Sequence, residues 1–112
     1  MSENIIPQIS ANDVQRSIVE KRNFILLDVR TPNEFNNEKI LGSINIPVDN
    51  IIDQIALVVP NKNEIIYVYC LSGSRSNIAT NFMRQLGYTN VFSMTNGLLM
   101  WRSKKYSLIK KA

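Results

Sequence analysis

The chain's one cysteine, Cys70, follows an apolar run, Ile65-Ile66-Tyr67-Val68-Tyr69, and opens a small polar loop, Leu71-Ser72-Gly73-Ser74-Arg75-Ser76. The thiolate, not the thiol, is the nucleophile, so the chemistry turns on what stabilises negative charge at that sulfur. The run before Cys70 is β-branched and aromatic and reads as a buried strand. Residues 76–86 read as a helix that Gly87 closes at the C′ position. The sulfur therefore lies between a strand end and a helix start, where backbone N–H groups lack intrahelical partners and the helix dipole favours anions. Gly73 permits a backbone turn that aims successive amides inward. Ser72, Ser74 and Ser76 each add a hydroxyl donor. A cysteine ending a buried strand is ordinarily an inert small apolar group. The loop and helix start are what make this one a candidate nucleophile, and they do so in a chain with no histidine.

The missing residue types exclude whole chemistries. With no His and a single Cys, no zinc site of the usual ligand types can form, and neither can a Ser-His-Asp or Cys-His arrangement. No metal or cofactor is expected. Without a second cysteine in the chain, a covalent intermediate on Cys70 must be resolved by an outside molecule. The 112 residues predict one domain spanning 1–112, and 45% apolar residues are normal for a globular core. No apolar run is long enough to cross a bilayer, and Met1-Ser2-Glu3-Asn4 does not open a signal peptide. A free thiol fits a reducing compartment, so the expected location is the cytoplasm.

The net charge of +4 is uneven: Arg102, Lys104, Lys105, Lys110 and Lys111 fall in an acid-free segment, 102–112. The remaining eight basic residues nearly balance nine acids. That segment reads as a solvated, partly frayed basic tail. No nucleic-acid motif accompanies the charge, and neither a nucleic-acid nor a membrane partner is expected.

Strands and helices alternate along the chain. Residues 5–9 predict a first strand. Ser10, with Asp13 three residues on, predicts a helix start, followed by a stripe of Val14, Ile18 and Val19. Phe24-Ile25-Leu26-Leu27, ending at Asp28-Val29-Arg30, is apolar on both faces and reads as a central strand. Thr31-Pro32-Asn33-Glu34 places an N-cap, a proline at N1 and a glutamate at N3. Residues 43–46 predict a brief strand, and 49–59 a helix burying Ile51, Ile52, Ile55 and Val58. In the helix after Cys70, Ile78, Ala79, Phe82, Met83 and Leu86 have core spacing. A strand at 91–94 and a short helix from Gly97, with Leu98, Leu99 and Trp101 in the core, complete the pattern. Such alternation predicts an α/β, three-layer fold: a mostly parallel central sheet of about five strands with helices on both faces. In such sheets the ligand crevice lies at the carboxyl ends of the strands, where Cys70 falls.

Four pieces in order resemble a single-domain rhodanese: Leu26-Leu27-Asp28-Val29-Arg30-Thr31-Pro32-Asn33-Glu34-Phe35, Gly42-Ser43-Ile44-Asn45-Ile46-Pro47, Tyr69-Cys70-Leu71-Ser72-Gly73-Ser74-Arg75-Ser76, and Asn96-Gly97 with Trp101. The resemblance implies a rhodanese-like fold and a sulfurtransferase that takes a sulfane sulfur from a donor such as thiosulfate. It would hold that sulfur as a Cys70 persulfide and pass it to cyanide or a thiol. Residues 71–76 would form the cradle. The implied partners are a small anionic sulfur donor, a thiol or cyanide acceptor, and proteins that donate or accept sulfur. A persulfide is anionic near neutral pH and needs the loop amides as much as the thiolate does. Arg75 offers planar donors to sulfonate-type oxygens. Related phosphatase loops carry the arginine six positions after the cysteine; here it is five, and Ser76 takes the sixth. Phosphatase or arsenate reductase chemistry is thus a distant alternative. The nearer one is a rhodanese-fold binding or regulatory module without turnover.

Asp28 and Arg30 admit two roles: supporting the site from a neighbouring strand end, or ordering nearby loops through hydrogen bonds. Two departures from the family pattern stand out. No histidine precedes Gly42 in Glu38-Lys39-Ile40-Leu41-Gly42, and Asn96-Gly97 replaces a glycine pair. Asn tolerates left-handed backbone, so that turn is expected to survive. The loop's single cation predicts weak use of dianionic thiosulfate.

Overall fold

A computed structural model describes residues 5–112. In chain order they form β1 (Gln8–Ile9), α1 (Ala11–Val19), β2 (Ile25–Asp28), α2 (Pro32–Asn37), β3 (Glu38–Lys39), β4 (Ile44–Asn45), and a 3-10 turn (Val48–Asn50) leading into α3 (Ile51–Val58). Then follow β5 (Ile65–Tyr69), α4 (Ser74–Gln85), β6 (Asn90–Met94), α5 (Gly97–Ser103) and β7 (Ile109–Lys110). The five-stranded sheet has the order β1-β6-β5-β2-β4, with every pairing parallel. Side chains alternate across it. Ile66, Val68 and Cys70 join Leu27, Val29 and Val91 on the face covered by α3 and α4. Tyr67 and Tyr69 join Leu26 and Met94 on the face covered by α1 and α5. The central position of β5 explains its apolar character on both faces.

Helix starts follow their sequence signals. Ser10 Oγ accepts from the Asp13 amide at 3.0 Å. Thr31 and Glu34 form a reciprocal capping box, with Pro32 opening α2. At the far end of α4, Gly87 is left-handed at φ +98° and its N–H reaches the Arg84 carbonyl.

The buried faces differ from several expectations. In α3, Ile51 and Ile55 are buried, but Ile52, about 100° further round the helix, is exposed. Val58 is the last helical residue and is partly exposed, because the more extended Val59 takes the inward position. On α4, Ser76, Ala79, Thr80 and Met83 form the buried face, leaving Ile78 outside. Val19 and Leu99 are likewise exposed, while Val14, Leu98 and Trp101 are fully buried. Of the expected first strand only Gln8 and Ile9 pair, opposite Ser93 and Met94. Pro7, which has no N–H, contributes its carbonyl to the Ser93 amide.

The basic segment is not a frayed tail. Tyr106 and Leu108 pack on the core between the sheet and α1 and α5, and the Trp101 indole donates to the Ser107 carbonyl at 3.0 Å. β7 then pairs antiparallel with β3, and Arg102 and Lys110 both reach Glu38. The apolar residues between the lysines are what anchor it. No helix among the described residues is long and apolar enough to cross a membrane.

Candidate active site

The loop after β5 wraps the Cys70 sulfur in donors. Gly73, left-handed at φ +112°, ends the loop and caps α4. This conformation, costly for a side-chain-bearing residue, brings the Gly73 amide to 3.1 Å from Cys70 Sγ and the Ser76 amide to 3.4 Å. The Ser76 hydroxyl lies 3.6 Å from the same sulfur. From the opposite side, the first amides of α5 hold the loop's carbonyls: Leu98 N–H donates to Cys70 O at 2.9 Å and Leu99 N–H to Leu71 O at 3.0 Å. Asn96 takes the left-handed position before α5, at φ +61°.

Cys70 is fully buried, and burial by itself pushes its thiol up. The Ser76 amide and hydroxyl, with the Gly73 and Ser72 amides, outweigh that push and hold the thiol below its ordinary value. The twelve-residue α4 points its positive end at the same atom.

Arg75 is engaged elsewhere. Its guanidinium is clasped bidentately by Glu34, with Nη1–Oε1 at 2.7 Å and Nη2–Oε2 at 3.1 Å. That hydrogen bonding, with help from the Thr31 amide and hydroxyl, takes the Glu34 carboxyl down to about 2 and raises Arg75 in turn. The sequence marks Glu34 only as a helix cap; its second partner lies 41 residues away, beyond any local pattern. Ser72 and Ser74 are exposed at the rim, and Leu71 packs on the core between the sheet and α1 and α5.

Asp28 and Arg30 belong to the other face of the sheet. Asp28 is in register with Tyr69, one residue before Cys70, so its side chain projects opposite to the sulfur. Asp28 and Arg30 form a bidentate pair, with Nη2–Oδ2 at 2.6 Å, that is 0% and 3% exposed. Arg30 also donates to the Glu38 carbonyl, and Asn45 Nδ2 donates to the carbonyls of residues 28 and 30. These contacts order the chain between β2 and β4. Neither side chain is hydrogen-bonded to Cys70 or to residues 71–76 in the described structure.

One residue of the site escapes the sequence reading. Ser93, on β6, lies 2.7 Å from the Ser76 hydroxyl and is fully buried. Its only signal is a small polar residue inside the apolar strand Val91-Phe92-Ser93-Met94.

Comparison with known proteins identifies the family and the fold. Residues 10–104 match the family model described as a rhodanese-like domain. The chain is 40% identical over 65 residues to the thiosulfate sulfurtransferase PspE of Escherichia coli (strain K12), covering 58% of this chain and 62% of that protein. It is 30% identical over 105 residues to the putative sulfur carrier protein YrkF of Bacillus subtilis (strain 168), covering 92% of this chain and 56% of the relative. The chain thus spans about three-fifths of the length of these relatives. In fold it is similar to a thiosulfate sulfurtransferase from Pseudomonas aeruginosa, with a TM-score of 0.87 at 24% identity over 96% of this chain and 21% of that one. With its parallel sheet, its cysteine loop and a match over residues 10–104, the chain belongs to the rhodanese family.

Proposed function

We propose that this chain is a sulfurtransferase that carries a sulfane sulfur as a persulfide on Cys70. The observation that carries this reading is the convergence of the Gly73 and Ser76 amides and the Ser76 hydroxyl on one buried sulfur. In the first half-reaction the Cys70 thiolate attacks the outer sulfur of a donor such as thiosulfate or a hydropersulfide. A bond forms from Sγ to that sulfur, the donor's S–S bond breaks, and the electron pair leaves with sulfite or a thiolate. The loop amides then hold the anionic persulfide. In the second, cyanide or an outside thiolate attacks the terminal sulfur and releases the Cys70 thiolate. A protein thiol can serve on either side. Residues 1–112 act as one domain, and a free activated thiol suits the reducing cytoplasm.

Intact-protein mass spectrometry tests the reading directly. Brief exposure to thiosulfate or glutathione persulfide is expected to add one sulfur, mapped to Cys70, absent in Cys70→Ser and removed by cyanide. No adduct with either donor, on protein with a confirmed free thiol, would favour a binding module instead.

The Glu34–Arg75 clasp bears on the donor. Arg75 is the loop's only cation, and Glu34 cancels its charge. The site therefore favours donors of low charge over dianionic thiosulfate. Glu34→Gln keeps a side chain able to cap α2 but frees the guanidinium charge. It is expected to lower the thiosulfate KM about two- to fivefold, from the worth of a partly exposed ion pair. An unchanged KM would rule out charge cancellation as the cause. Because the Glu34 carboxyl is depressed, the pair's stabilisation is complete above the ordinary value of 4.5 and is lost as pH falls toward about 2. Acid titration of unfolding should show that loss in the wild type and not in Glu34→Gln.

A further inference from the structure

Ser76 has one hydroxyl proton and three polar neighbours. Its Oγ is 3.1 Å from the Gly73 carbonyl, 3.6 Å from Cys70 Sγ and 2.7 Å from Ser93 Oγ. Distance alone does not say whether Ser76 or Ser93 donates in the shortest contact. The surroundings do. Ser93 is 0% exposed, and among the described residues its hydroxyl has no hydrogen-bond partner besides Ser76. If Ser76 donated to Ser93, the Ser93 proton would be buried with nothing to receive it, at the cost of an unsatisfied donor. Ser93 is therefore the donor and Ser76 the acceptor. The Ser76 proton is left to choose between the Gly73 carbonyl and the Cys70 sulfur.

That choice depends on the charge of the sulfur. While Cys70 is a thiol, its S–H points to Ser76 Oγ and the Ser76 proton goes to the Gly73 carbonyl. Once the sulfur is anionic it has no proton to give, and it competes with the carbonyl for the Ser76 proton. Accepting from Ser93 in both states keeps Ser76 Oγ satisfied and polarises its O–H, which strengthens donation to sulfur. We infer that Ser93 is a positioning residue: from β6, behind the loop, it directs the Ser76 hydroxyl onto the Cys70 sulfur and so favours its anionic form. This rests on the proposed nucleophilic role of Cys70 and adds a strand residue outside 71–76 to the site.

The test measures the rate of Cys70 alkylation by iodoacetamide against pH, on the full chain, a readout independent of sulfur transfer. Ser93→Ala is expected to slow alkylation at about pH 6 by roughly three- to tenfold, the worth of one ordinary hydrogen bond, with the high-pH plateau unchanged. Ser93→Thr, which keeps the hydroxyl, should hold the wild-type profile, whereas its near-isostere Ser93→Val should shift like alanine. This pair keeps the comparison valid if alanine loosens the strand. In a Ser76→Ala background, Ser93→Ala should add nothing, because its route to the sulfur is gone. An unshifted Ser93→Ala profile beside a depressed wild-type one would overturn this inference alone. So would a shift to lower pH, or an equal shift without Ser76. A wild-type profile matching a free model thiol would overturn the nucleophile reading and this inference with it.

Discussion

Gly97→Ala is expected to lower stability by about 2–5 kcal/mol, combining left-handed strain with overpacking, and to raise the Cys70 titration in whatever remains folded. Gly97 is left-handed at φ +47°. A Cβ there would run into the carbonyl oxygens of Cys70 and Leu71, the second at 2.6 Å, and into the Leu71 carbonyl carbon at 2.7 Å. Those oxygens cannot simply retreat, because they accept the Leu98 and Leu99 amides. Making room would pull α5 off the loop, break both hydrogen bonds and release the peptide units that begin the sulfur's cradle. Gly42 provides the internal control. It is left-handed too, at φ +86°, but a Cβ there meets nothing within 4 Å. Gly42→Ala should therefore cost only the conformational penalty, about 1–2 kcal/mol, and leave the alkylation profile in place. Urea unfolding of both variants, paired with that profile, is the measurement. Equal losses for the two would mean that the close approach of α5 to the loop is not rigid.

What the sequence made legible is what local chemistry encodes. Ser10, the Thr31–Glu34 box and Gly87 mark helix boundaries because a cap is a contact within a few residues. The doubly apolar runs at β2 and β5 announce a covered parallel sheet, and the loop after β5 announces an anion cradle. The site's other parts were hidden because they are made by pairing distant segments. Glu34 meets Arg75, and Ser93 meets Ser76, only once the sheet order β6-β5-β2 is set. The exposed Ile52, Ile78 and Leu99 show a different limit. An apolar residue beside a buried one satisfies a loose core pattern, yet one helical step of about 100° is enough to carry it outside. The basic segment misled for a related reason. Its lysines are exposed as expected, while Tyr106 and Leu108 between them fix the backbone to the core.

Arg30→Met is expected to destabilise the chain by about 3–5 kcal/mol, the usual consequence of leaving a buried charge without its partner. Asp28 is wholly buried at the end of β2, and the Arg30 guanidinium supplies three of its side-chain contacts in fork geometry. Methionine fills much of the volume but offers no donor, so among the described residues the Asp28 carboxylate would keep only the hydrogen bond from the residue 30 amide. The same argument fixes the sign of the double variant. Asp28→Asn with Arg30→Met removes both charges and should recover part of the loss, because the penalty comes from the unpaired carboxylate rather than from missing attraction. Chemical denaturation of the two singles and the double closes the cycle. The pH profile of Cys70 alkylation separates the two roles open to this pair. Register aims Asp28 away from the sulfur, and the pair's hydrogen bonds run to Glu38 and to the chain near Asn45. A purely loop-ordering pair predicts that the folded fraction of Arg30→Met alkylates at Cys70 with the wild-type pH midpoint. A midpoint displaced in step with the stability loss would instead show the ion pair acting through the sheet on the site. The register of Asp28 with Tyr69 argues for the first result: successive residues of β5 face opposite layers, and the layer Asp28 shares is that of Tyr69, not of Cys70.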